Sequence, residues 1–353
     1  MLFRLTISLI TPLHIGSGNI LLRDYDFKTV GSRTWVLDQD AILAEEFDRG
    51  DQPNWQWLAK KPGELVRDAE LREGSPFVRY ALEGTTSVDQ VREQIKDVHG
   101  RCYLPGSSLK GALRSVLMSH AVRSGHFKPD VQTLGDRPEW AGQPWERAVF
   151  GRDPNHDLLR ALIVADSEPL SPSPPPLALL NAQVFTGGKP GSPIVVEAVR
   201  ADAVFKSTLR VDDYLLGDVA RQLGFADRRK WMTDLAAIAR QVNGARIKQE
   251  LEWYDRTGGF PSAQSVYSTL DKARLDANAF VLQLGWGADW TAKSVGMWLP
   301  KADQLELRRR FRLGKPPKAG HDWHPDPSKA FPNSRRLRAR RHQGQVVADV
   351  PLG

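Results

Sequence analysis

The stretch Tyr103-Leu104-Pro105-Gly106-Ser107-Ser108-Leu109-Lys110-Gly111-Ala112-Leu113-Arg114 decides how this chain is read. A short apolar segment, Cys102–Leu104, runs into the Pro-Gly-Ser-Ser turn. Leu109, Leu113, Val116 and Leu117 then fall on one helical face. Gly106 lets backbone approach a ligand closely, and Ser107 and Ser108 are residues that start helices. The first-turn N–H groups of such a helix point outward, where the dipole favours an anion. Lys110 and Arg114, four apart, share one side of the helix. The combination suits a phosphate. The G-x-x-x-x-G-K-[ST] spacing of a Walker loop is absent.

Two further glycine loops flank this one in sequence. Leu2–Ile10 alternates as a half-buried strand and leads into Thr11-Pro12-Leu13-His14-Ile15-Gly16-Ser17-Gly18. Ala279–Leu284 also reads as a strand, followed by Gly285-Trp286-Gly287 and a helix start carrying Lys293. One such loop has turn geometry as its simplest explanation. Three loops, two with a lysine close behind, point to a repeated anion-binding device.

Composition bounds the remaining possibilities. At 353 residues, 41% hydrophobic and 26% charged, the chain has the make-up of a globular protein large enough for two domains. No apolar run approaches the roughly 20 residues of a membrane helix. Met1–Ile10 is interrupted by Arg4, and no small-residue cleavage site follows, which argues against a signal peptide. The single Cys102 excludes an internal disulfide and points to a reducing cytoplasm. The formal charge is +7, and residues 301–353 alone carry thirteen Lys and Arg against five acids, leaving the other 300 residues close to neutral. A basic end of this kind suits a polyanion, most simply nucleic acid.

Strand signals occur at Tyr25–Thr29 and Thr34–Leu37 (a hairpin), Ala161–Val164, Ala178–Phe185, Ile194–Val199 and Val204–Val211. A last hairpin pairs Arg335–Arg338 with Gln345–Val350. Helical signals occur after Asp38 or Asp40, within Val88–Val98, over Asp227–Tyr254 with a possible break near Gly244, and over Gln304–Phe311. Strands and helices mix without regular βαβ alternation, so the fold class is α+β. The proline-rich Ser171–Pro176 is the expected connector between residues 1–170 and 177–353.

These motifs together resemble the RAMP superfamily of CRISPR-associated RNA-binding proteins. Thr11–Gly18 is similar to its Thr-Pro-x-His-x-Gly-x-Gly stretch, and Pro105–Arg114 to its Pro-Gly-Ser-Ser-x-Lys-Gly-x-x-Arg stretch. Val149-Phe150-Gly151, Leu282–Trp290 with Lys293, Phe331–Leu337 and Pro351-Leu352-Gly353 complete the likeness. Their order resembles the fifth-subunit branch of the type III-A (Csm) effector. The resemblance implies two ferredoxin-like (RRM-like) domains with glycine-rich loops and helical insertions. It implies crRNA as ligand and the backbone RAMP and small subunits of the effector as partners, with host nucleases possible helpers in 3′-end maturation and no membrane. A RAMP subunit of another type III system is the neighbouring alternative.

The residues expected to meet RNA are His14, Gly16, Ser17 and Gly18 from the first loop and Gly106, Ser107, Ser108, Lys110 and Arg114 from the second. Trp286, Lys293, Arg335 and Arg336 complete the set. Trp286, Trp290 and Trp298 each have core packing as a competing role. The RNP1 signature is absent, so contact would run through loops, and phosphate contacts carry little sequence information. His14 is the one candidate for metal-independent endoribonuclease chemistry, by likeness to RAMP enzymes that process precursor RNA. Orienting its loop, or donating to a phosphate, is the competing role.

Other polar clusters give less. His156-Asp157 and His321-Asp322 lack the further ligands of a metal phosphohydrolase. Asp24 and Asp26 sit where backbone subunits of the superfamily can carry a cleaving aspartate. One cysteine and eight scattered histidines serve zinc poorly. The expectation is a binding subunit with no catalytic residue, no metal and no cofactor.

Overall fold

The computed structural model describes residues 1–48, 55–173, 175–314, 324–329 and 331–353. Pro174, Lys315, Lys318 and the His321-Asp322 pair lie outside the described residues.

Twelve strands are described: β1 Leu2–Ser8, β2 Gly16–Leu22, β3 Phe27–Val30, β4 Arg33–Leu37, β5 Val78–Glu83, β6 Gln90–Gln94, β7 Leu162–Val164, β8 Leu177–Thr186, β9 Lys189–Val199, β10 Val204–Val211, β11 Ser334–His342 and β12 Gln345–Pro351. A three-stranded antiparallel sheet runs β1-β10-β7. In β10 the alternation is strict, with Phe205, Ser207, Leu209 and Val211 inward and Val204, Lys206, Thr208 and Arg210 outward. The inner face packs on the helices Gly106–Arg123 and Leu235–Thr257, through Leu113, Val116, Leu162, Leu209, Ile238 and Val242. The second helix passes through Gly244 unbroken.

A larger mixed sheet runs β2-β6-β9-β8-β5-β4-β3, and β11 joins the far end of β8 and carries β12. Both sheets draw strands from either side of residues 171–176. β1 pairs with β10, β6 runs parallel to β9, and β5 meets β8. The proline-rich segment therefore separates stretches of sequence whose strands interleave. The architecture is mixed α+β, as the irregular order of elements implied.

Two local expectations are corrected. Within Val88–Val98 the chain forms β6 over Gln90–Gln94, because Val91 and Gln94 are buried between β2 and β9 while Arg92 between them is exposed. Pairing with neighbours overrides the helical spacing. Ala279–Leu284 joins no ladder, and side chains of the Leu235–Thr257 helix take two of its carbonyls. Asn243 Nδ2 donates to Val281 O at 2.7 Å, and Arg240 Nη1 to Ala279 O at 3.3 Å. This segment faces β1 across a cleft of about 870 Å³.

Candidate nucleic-acid interface

Loops far apart in sequence meet at one junction. His14 O accepts Trp286 N–H at 2.8 Å, and Gly353 N–H donates to Pro12 O at 2.8 Å. The glycines of the third loop exist for this approach. A Cβ on Gly285, which has φ +74°, would lie 2.3 Å from His14 O, and one on Gly287 would lie 1.7 Å from Leu352 O. Leu352 is fully buried beside Leu180, Ala182, Val196 and Ala198, with Trp286 packed on the same cluster. Pro351-Leu352-Gly353 thus clamps the first and third loops together; the sequence marked this segment through its likeness to the family motif and attached no role to it.

His14 lies inside this junction, 2% exposed. Its Nδ1 sits 2.6 Å from Glu197 O, so that nitrogen carries the proton and donates. Burial pulls its pKa below the ordinary value of 6.5, against the raising effect of that bond, with Arg92 and Lys96 lowering it further. His14 is consequently a neutral imidazole that fixes the loop to β9. Just beyond it, Gly16, Ser17 and Gly18 are exposed, and Gly18 has φ +100° with open space where a Cβ would stand. Glu93 supports this loop from beneath, accepting from Ser17 Oγ at 2.8 Å and Asn19 Nδ2 at 2.9 Å. Below it, the Glu197 carboxylate is fully buried and receives Tyr80 OH, Gln94 N–H and Lys96 Nζ at 2.6–2.9 Å.

The Pro105–Arg114 turn differs from its expected role. The Gly106 N–H donates to Asp166 Oδ1 at 2.7 Å, and Ser108 N–H turns back to Pro105 O. The chain's own carboxylate occupies the place where a phosphate was expected, and Gly106 is buried. Its glycine is needed for packing, because a Cβ would stand 2.3 Å from Val164 O. Ser107 is exposed and Ser108 half-buried. Arg114 is held by Glu146 and Asp157, both at 2.8 Å, with its guanidinium 4.2 Å from the Phe150 ring centre. Lys110 keeps a lowered pKa through desolvation and the nearby Arg114 charge, offset by Asp157.

Arg335 is also removed from the expected contact set. Its Nε and Nη2 form a two-pronged pair with Glu250 at 2.6 and 2.8 Å, and its guanidinium lies 4.2 Å from the Trp253 ring centre. Both partners are almost fully buried, which ties β11 to the long helix. Arg336, one residue on, projects to the other face of β11. It donates to Trp286 O at 2.8 Å and lies 4.8 Å from that ring's centre, while Arg92 lies 5.8 Å from it. Lys293 is exposed beside Arg336, and desolvation together with that neighbouring charge lowers its pKa, against Asp289. Among the described residues Lys293 makes no ion pair, and Arg92 none either.

Arg92 and Arg336 meet over Trp286 with Lys293 near Arg336, and Lys293 also lines an adjoining cavity together with Arg114. Arg92 was missed in the sequence, where it stands alone within a polar segment. Its strand alternation is the only signal that would have set it outward. Three of the other polar candidates have structural partners. Asp26 accepts Leu22 N–H and Gln39 Nε2, His156 Nδ1 contacts Asp153, and Asp157 caps Leu159 N–H. No cluster of three or more metal-ligating side chains occurs among the described residues. No helix among them is long and apolar enough to cross a membrane.

Comparison with known proteins places this geometry. A protein named CRISPR system Cms protein Csm5 from Mycobacterium tuberculosis is 25% identical over 295 residues, covering 71% of this chain and 76% of that protein. The Streptococcus thermophilus protein of the same name is 26% identical over 194 residues, covering 47% of this chain and 52% of its own. The crystal structure of T. onnurineus Csm5 superposes with a TM-score of 0.65 at 26% identity, over 83% of this chain and 92% of that one. A chain of the cryo-EM structure of a Csm–crRNA–target RNA ternary complex in a type III-A CRISPR-Cas system superposes with a TM-score of 0.69 at 24% identity, over 99% of this chain and all of that one. The sequence model of the RAMP superfamily matches residues 6–235, which include the first two glycine loops and the strands that cross between the two halves. By that match, this chain belongs to the RAMP superfamily.

Proposed function

We propose that this chain is a non-catalytic RNA-binding subunit at the head of a type III-A CRISPR effector. In this reading it holds the 3′ part of the crRNA, caps the filament of backbone RAMP subunits and supports 3′-end maturation. The observation that carries the reading is the meeting of Arg92 and Arg336 over the Trp286 ring, with exposed Lys293 close enough to Arg336 for their charges to repel, so that cations from three regions of sequence share one surface. Guanidinium and ammonium groups placed this way engage phosphates without reading bases, which suits guides of many sequences. Similarity to Csm5 proteins, and to a chain from a complex holding crRNA and target RNA, supports the assignment.

We read β1, the Gly106–Arg123 helix, β7, β10 and the Leu235–Thr257 helix as one ferredoxin-like unit, with residues 279–284 in the place of its fourth strand. That unit is assembled from both sides of residues 171–176. A neutral His14, its Nδ1 proton committed to Glu197 O, is a positioning residue in this reading.

Binding to a single-stranded RNA is expected to weaken steeply with salt. With four cations engaged (Arg92, Lys110, Lys293 and Arg336), the slope of log affinity against log salt is about −3. A flat response would overturn the RNA-binding reading. In the same preparation with EDTA, labelled precursor RNA is expected to stay intact. Specific cleavage that disappears in His14→Ala would replace the binding role by an endoribonuclease.

A further inference from the structure

Between the second and third motif regions lies a cavity of about 350 Å³ that the phosphate contacts leave unused. Its walls are apolar and aromatic: Met118 from the Gly106–Arg123 helix, Trp145 and Phe150 from the Gln143–Phe150 helix, and Trp290, Leu307 and Phe311 from the later segments. The walls are held in place. Trp290 lies against the backbone of Gly296, where a Cβ would stand 2.0 Å from its ring, and Ser294 Oγ donates to Trp290 O at 2.7 Å. Trp145 Nε1 is anchored on Thr133 Oγ1 at 2.9 Å.

The rim is polar and asymmetric. Two cations line it: Arg114, fixed by Glu146, Asp157 and the Phe150 face, and Lys293, exposed and without an ion pair among the described residues. A flat apolar group attached to an anion matches this pattern. The Glu146 and Asp157 carboxylates already neutralise Arg114, so the anion belongs at Lys293, which lies near Arg336. The Glu146 carboxylate is an acceptor for an exocyclic amine of a base seated inside.

We propose that this cavity receives one unstacked nucleobase of the bound RNA, with the attached phosphate on Lys293. The proposal rests on the RNA-binding reading above and adds a base contact to it. Seating a base among aromatic side chains contributes about 1–3 kcal/mol and tolerates sequence variation, since every base offers a π face.

The test is a set of single-stranded RNAs in which one abasic residue is walked through the sequence, bound to the full chain at fixed salt. One position is expected to lose about tenfold in affinity when its base is removed, and the others little. Ser115→Phe, which fills the cavity from the Gly106–Arg123 helix, should weaken the intact RNA by the same factor and erase the positional difference. Lys293→Ala should weaken intact and abasic RNA alike. Equal affinities along the whole walk with the unaltered chain overturn the proposal, as does a positional loss that survives Ser115→Phe in a folded variant. A flat walk with a steep salt response removes the base contact and leaves the RNA reading standing. Absence of any RNA binding removes both.

Discussion

The two faces of β11 carry neighbouring arginines with opposite fates. On the inner face Arg335 is locked into Glu250 beneath the Trp253 ring, and on the outer face Arg336 lies over Trp286 beside Lys293. In sequence both belong to one basic run at the end of a positively charged region. The difference between them is strand alternation, which sends successive side chains to opposite sides of a sheet. A count of cations therefore overstates the charge available to a polyanion. Of the basic residues on this strand, Arg338 and Arg340 also spend charge inside the chain, both on Asp349.

The comparison is broken most sharply from the inner side. Arg335→Ala leaves Glu250 buried without its partner, and a loss of about 3–5 kcal/mol is expected in chemical denaturation. Glu250 already has a raised pKa from burial. The loss should shrink on acidification, because protonating the orphaned carboxyl removes the buried charge. A loss below 1 kcal/mol at neutral pH would show the pair to be dispensable.

His14 tests the interior in a second way, with a smaller effect. Its folded pKa lies below 6.5, so the unfolded chain binds the proton more readily. The stability it supports is fully present above about pH 6.5 and falls as pH drops, at up to ~1.4 kcal/mol per pH unit. His14→Gln should flatten that slope, and an unchanged pH profile would mean the imidazole titrates normally. The smallest effect on folding belongs to the outer face. Arg336→Ala is expected to change stability by less than about 0.5 kcal/mol while lowering RNA affinity and reducing the salt slope by about one contact. Equal damage to stability by the two arginine variants would erase the distinction.

Much of the fold is written locally. The alternation in β10, the hairpin of β3 and β4 and the long helix over residues 235–257 all follow from periodicity. The elements that escaped are set by partners remote in sequence. β6 becomes a strand only because β2 and β9 flank it, and residues 279–284 join no ladder while Asn243 and Arg240 claim two of their carbonyls. The interface was legible in the same uneven way. Trp286 and Arg336 stand in separate motifs and meet in the structure, with Lys293 near Arg336. The Gly106 amide and Arg335 looked equally exposed in sequence, and their acceptors, Asp166 and Glu250, lie 60 and 85 residues away.

The clamp formed by Pro351-Leu352-Gly353 has a consequence for how the protein comes into being. Thr11 Oγ1 reaches Gly353 O across 342 residues of chain, and Gly353 N–H closes on Pro12 O. During synthesis the first glycine loop leaves the ribosome long before its cover exists. Until residues 351–353 have been made, Gly353 N–H cannot close on Pro12 O and Leu352 cannot fill the cluster against Trp286. The junction of the first and third loops is thus completed by a contact of very large sequence separation, which places it among the late-forming parts of the fold.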